Sequence, residues 1–126
     1  MQFKATLPDA ELRRTLQNKV NEIRDGLIFG GCEYDGHRYD SDARSIQNIT
    51  ATVAAISAGV PLPDGFVWRS ADNESIPHTA ESLTALAGTL LDFVNACYAR
   101  SFTLKDEIGA SEAPELVDIN EGWPEG

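Results

Sequence analysis

The feature that most constrains this chain is a seven-residue recurrence in its second half. Leu83, Leu90, Cys97 and Leu104 fall at steps of seven, with Leu86 and Phe93 between them and Val94 and Ile108 flanking the seam. Apolar residues at this spacing line one face of a helix, and a run of this length suits coiled-coil-like packing. Thr79 offers an N-cap, and Glu81 places an acid at the positive end of the helix dipole. The spacing predicts a helix over 80–108, ended by Gly109, with Arg100 interrupting the second seam position. Its apolar face is long for the elements that must cover it. Two arrangements stay open. Leu86, Phe93, Val94 and Ile108 meet a second copy of the chain, or a compact monomer takes them all into its own core.

Two further helices precede it. Leu12, Leu16, Val20, Ile23 and Leu27 step by four, four, three and four, which predicts a helix over 8–27. Pro8 suits its first turn, Asp9 and Glu11 complement its dipole, and Arg13, Arg14, Lys19 and Glu22 should face water. Gly30-Gly31 ends it. Ile46, Ile49, Val53 and Ile56 predict a second helix over 43–58, capped through Asp40-Ser41-Asp42 and stopped by Gly59, Pro61 and Pro63.

Asp35-Gly36 between short aromatic runs is a strong hairpin signal, because a type I′ turn needs positive φ at both central residues. That turn sets Tyr34 opposite His37, Glu33 opposite Arg38, and Cys32 opposite Tyr39. Strand alternation then puts Cys32, Tyr34, His37 and Tyr39 on one face, leaving Glu33 and Arg38 as a cross-strand ion pair on the other. Residues 66–70 and 75–78 read as a second hairpin of open register, with Pro77 at an edge or strand end. The expected fold is α+β: helix, hairpin, helix, hairpin, long helix. Residues 1–110 form one domain and residues 111–126 an acidic tail.

Charge narrows the function. Ten Lys and Arg face twenty Asp and Glu, a net charge of −10. Gripping nucleic acid by counterion release needs clustered Lys and Arg, so neither nucleic acid nor an anionic membrane is an expected partner. No apolar run approaches the ~20 residues of a membrane span, and the start lacks the apolar stretch of a signal peptide. Two cysteines read as buried thiols in a protein made in a reducing cytoplasm. From Asp106 onward the chain holds seven acids and no base, yet it carries Leu116, Val117, Ile119 and Trp123. That apolar content in an acidic tail is expected to dock, within the chain or on a partner.

No catalytic, cofactor-binding or metal site is assigned. His37 stands among Asp35, Asp40 and Asp42, but Asp35 is explained by the turn and Asp42 by the helix cap, and no second His or Cys stands at ligand spacing. Asp40-Ser41-Asp42 lacks the glycine and closing glutamate of a calcium loop. Cys32 and Cys97 lack an activating motif, Ser41 and Ser45 lack a nucleophile elbow, and Gly30-Gly31 lacks a phosphate loop's spacing and lysine. Trp68 reads as core packing. Trp123, between Gly122 and Pro124, is a candidate anchor. The candidate partner interface is Leu86, Phe93, Leu116, Val117, Ile119 and Trp123.

Three segments carry a family resemblance. They are Tyr34-Asp35-Gly36-His37-Arg38-Tyr39-Asp40-Ser41-Asp42 with Ser45-Ile46; Trp68 and Ala71-Asp72-Asn73 leading to Leu83, Phe93, Cys97, Tyr98 and Leu104; and Asp118-Ile119-Asn120 with Gly122-Trp123-Pro124. From about Glu11 to Pro124 the chain resembles a domain found in tail-fibre, tail-fibre-assembly and small tail-associated proteins of tailed bacteriophages and prophages. The resemblance implies no catalytic residues. It implies a non-enzymatic structural component of a phage tail, in the fibre or baseplate region of the virion, without cofactor. Its partners would be other tail proteins, with a homo-oligomer possible. One alternative is a tail-fibre assembly chaperone. Another, from a different class, is an acidic DNA mimic that inhibits a host protein.

Overall fold

The computed structural model describes residues 9–126 of the chain. Three helices and two antiparallel hairpins follow in the expected order: α1 Asp9–Phe29, β1 Cys32–Tyr34, β2 His37–Tyr39, α2 Ala43–Ser57, β3 Val67–Arg69, β4 Ser75–Pro77 and α3 Ala80–Ala110. The fold is α+β. Pro8 lies outside the described residues. Among those residues, no helix is long and apolar enough to cross a membrane.

Local rules explain the first hairpin. Cys32 pairs with Tyr39, Glu33 with Arg38 and Tyr34 with His37. Asp35 and Gly36 have φ of 50° and 80°, the left-handed conformations a type I′ turn requires. Cys32 and Tyr39 are buried on one face while Glu33 and Arg38 are exposed on the other. The expected Glu33–Arg38 ion pair is absent among the described residues. Arg38 instead donates to the carbonyls of Gly30 at 3.1 Å, Gly31 at 2.9 Å and Gly126 at 3.1 Å. A helix end leaves carbonyls without partners, and a charged donor bonds them more strongly than an exposed ion pair rewards.

The second hairpin pairs Val67 with Pro77, Trp68 with Ile76 and Arg69 with Ser75. Trp68 and Ile76 turn inward and pack on the core. The Ala71 amide donates to the Arg38 carbonyl at 2.7 Å, which fastens this hairpin to the first.

On α3, Thr79 and Ser82 form a capping box, each side chain accepting from the other's amide. The helix runs through Gly109 to Ala110, past its expected end. Arg13 supplies a reason. Expected in water, it reaches across from α1 and donates to the carbonyls of Ile108 and Gly109. Its cation also complements the negative end of the α3 dipole.

The core has two parts. In the larger, Leu83, Leu86, Leu90, Phe93 and Cys97 of α3 pack with Ile49 of α2 and with Cys32 and Tyr39 of the first hairpin. In the smaller, Leu104 and Ile108 pack with Val20 of α1. Leu86, Phe93 and Ile108 are thereby corrected as candidates for meeting a second copy. They are buried, because both hairpins, α1 and α2 all lie along α3 and cover its seam.

The tail packs within its own chain. After a 3₁₀ turn at Pro114–Leu116 it returns along α1 and α3, setting Val117, Ile119 and Trp123 on the smaller cluster. Arg100 donates to the Glu121 carbonyl from Nε at 3.0 Å and Nη2 at 2.8 Å. The residue that interrupts the seam therefore fastens the tail. Gly122 has φ of 81°, and a Cβ there would lie 2.7 Å from the Arg100 guanidinium carbon.

Candidate functional site

An apolar groove of about 400 Å³ opens where the end of α1, the start of α2 and the outer side of α3 meet. Ile28 and Phe29, Ile46, and Val94 and Tyr98 supply its apolar walls. Two short bonds hold its elements. The buried Ser41 hydroxyl donates to the Ile28 carbonyl at 2.5 Å, clipping the end of α1 to the approach of α2. Ser45 donates to the Asp42 carboxylate at 2.5 Å, and this bond, ahead of the backbone bonds around it, holds the Asp42 pKa below its ordinary value. Asp42 thus stays ionised on the groove's rim, where Asp25 also stands.

Phe29 falls 200° around α1 from Leu27, away from the core stripe, and is 80% exposed. Tyr98 and Phe102 lie one turn apart on α3, each one residue past a buried position, and are 38% and 54% exposed. Their rings are 6.0 Å apart. The Arg24 guanidinium lies 4.5 Å from the Tyr98 ring centroid and Lys105 lies 5.6 Å from that of Phe102. Arg24 also bonds Asn21 and Asp25, and Lys105 bonds Asn21, so both cations are held against the rings by α1. The result is an aromatic strip running from the groove along α3.

A family described as "Domain of unknown function (DUF4376)" matches residues 11–121. The chain belongs to this family. The match takes in α1 from Glu11 onward, both hairpins, α2, α3 and the tail as far as Glu121, the residue Arg100 holds. No curated protein and no solved structure matches the chain.

The six residues expected at a partner interface do not come together. Leu86 and Phe93 are inside the larger core. Val117, Ile119 and Trp123 are half-buried against Val20, Leu104 and Ile108, with the Trp123 indole donating to the Ile119 carbonyl at 2.8 Å. Leu116, 80% exposed, stands apart from them. Heptad reasoning missed Phe29, Tyr98 and Phe102 because all three lie off the apolar stripes. Their one sequence signal is an aromatic pair at i, i+4 beside the seam.

Polar groups elsewhere have structural partners. His37 stands 4.0 Å from the Glu74 carboxylate. His78 meets the Tyr39 hydroxyl at Nε2, 3.1 Å away, and the Ser82 hydroxyl at Nδ1, 2.9 Å away. Burial lowers the His78 pKa below its ordinary value and raises that of Tyr39. Both cysteines are free and buried, and burial pushes both thiols up, away from the reactive thiolate.

Proposed function

We propose that this chain is a non-enzymatic component of a bacteriophage tail, in the fibre or baseplate region, working through protein–protein contact. Two things support the reading. The sequence resemblance of residues 11–124 supplies the setting. The open apolar groove supplies the contact, and it is the observation that carries the reading. Phe29 and Tyr98 are exposed aromatics at a concave site, while the seam beneath them is fully covered. An apolar recess is a poor copy of a phosphate backbone, so the groove favours protein contact over DNA mimicry.

Deleting the gene from its phage tests this. The expected result is intact, DNA-filled heads with tails that adsorb at least about tenfold less well, as a lost tail contact would give. Normal particles with normal adsorption would overturn the proposal. Mass spectrometry of purified virions then separates two roles. A resident component is present in finished particles, whereas an assembly chaperone is absent from them although its deletion still removes the fibre.

A further inference from the structure

We propose that the groove between Phe29, Ile46 and Tyr98 takes the apolar side chains of a basic amphipathic helix from a partner protein. This rests on the reading of the chain as a protein-contact module and names the chemistry of the contact. Size comes first. About 400 Å³ admits one or two large side chains, the way anchors at i and i+3 or i+4 of a helix enter a groove.

Charge selects the flanks. Asp25 and Asp42 stand on the rim, and no Lys or Arg lines the groove. Arg24, laid over Tyr98, is bonded to Asp25, so among the described residues Asp42 carries the unpaired charge on this rim. The same holds more widely. Arg13, Arg38, Arg69, Arg100 and Lys105 are bonded to carbonyl or amide oxygens of the chain itself. Arg14, Lys19 and Arg44 stand exposed, yet ten bases face twenty acids, so the exterior as a whole stays anionic. A helix with Lys or Arg beside its apolar stripe gains at that rim, and one with acids is repelled.

Two other occupants fit less well. Residues 1–8 contain one aromatic, Phe3, six residues before Asp9. Phe3 reaches at most about 20 Å from Asp9, whereas α1 carries Phe29 about 30 Å away. A second copy would bring another net charge of −10 against the same acidic rim.

The test uses the full chain and a fluorescein-labelled Leu/Lys peptide of ~18 residues with leucines on one helical face, read by anisotropy. Two controls accompany it: a Leu/Glu peptide with the same stripe, and a Leu/Lys peptide of scrambled order. The expected result is saturable binding of the striped Leu/Lys peptide, about tenfold tighter than either control. Phe29→Ser with Tyr98→Ser should weaken it about tenfold with little change in melting temperature, since both side chains face solvent. Phe29→Ser alone, at a residue 80% exposed, serves should the double variant lose stability. Asp25→Lys should weaken binding and flatten its salt dependence. Equal binding of the scrambled peptide would mean charge attraction only and overturn the proposal. So would no binding, or full binding by the Phe29 variant. Sedimentation as a dimer that the Phe29 variant breaks would make a second copy the occupant and also overturn it. Failure of the peptide leaves the tail reading standing. Normal adsorption by the deletion phage removes that reading without changing the peptide's measured affinity.

Discussion

The two hydrophobic clusters along α3 are closed by different means. Toward its N-terminal half, regular elements do the covering: α2 and both hairpins surround Leu83, Leu86, Leu90 and Phe93. Toward its C-terminal half, Leu104, Ile108 and Val20 are covered on one side by a tail with a single 3₁₀ turn. Hairpin and helix backbones can satisfy their own polar groups along their length, with outside donors only at helix ends, where Arg38 and Arg13 serve α1 and α3. The tail cannot. Its carbonyls at Glu121 and Gly126 are bonded by Arg100 and Arg38, and its indole bonds its own backbone. A segment without regular structure can seal a core, but it needs charged side chains from the scaffold to hold it.

The largest expected effect is in the larger cluster. Leu90 is 1% exposed, and Leu90→Ala should lower stability by about 2–5 kcal/mol through lost burial and the cavity left behind. Urea denaturation measures it. In the smaller cluster Trp123 is only half-buried, so Trp123→Ala should cost about 1–2 kcal/mol. Amides near Leu104 should then exchange with deuterium faster than those near Leu90. An equal or larger loss at Trp123 would break the contrast, making the tail as much a part of the core as the hairpins.

Glycines sharpen it further. Nothing lies within 4 Å of a Cβ built at Gly36, so Gly36→Val tests backbone conformation alone and should cost about 1–2 kcal/mol. A melting temperature unchanged by this substitution would remove the type I′ turn as a source of stability. The smallest effect is a pH dependence confined to the side of the larger cluster, where His78 meets Tyr39. Burial lowers the folded-state pKa of His78, so the unfolded chain takes the proton more readily. Stability is therefore complete above about pH 6.5, the unfolded imidazole value, and declines as pH falls through the lower folded value. Asp35 opposes the shift and His37 reinforces it. His78→Gln should flatten the difference in urea midpoint between pH 7 and pH 5, while Trp123→Ala should leave it as in the parent chain.

Much of the fold was legible where one local rule decides. The register of the first hairpin follows from Asp35-Gly36 because positive φ at two successive residues admits few turns. The second hairpin has no such pair; its register is set by a longer turn in which Asn73, at φ of 68°, donates to the Ser70 carbonyl and Ser70 to that of Glu74. The groove was not legible. Val94 was visible only as a flank of the seam, Tyr98 carried resemblance without a role, and Phe29 and Phe102 stood outside every stripe. A surface site formed by three elements has no period of its own.

What the sequence determined by itself is the set of elements, the apolar face of each helix, the pairing of β1 with β2, and the strong excess of acid. Periodicity, capping and turn chemistry act over a few residues, so they can be read from a few residues. The tertiary structure alone decided what covers each face and where each cation goes. It buried Leu86, Phe93 and Ile108 and laid Val117, Ile119 and Trp123 on their own chain. It also turned Arg13, Arg38 and Arg100 from expected surface or seam residues into bonds across 21 to 95 positions of sequence. A stripe records that a side chain leaves water, not which surface receives it. That choice depends on which carbonyls are left open once every element has docked.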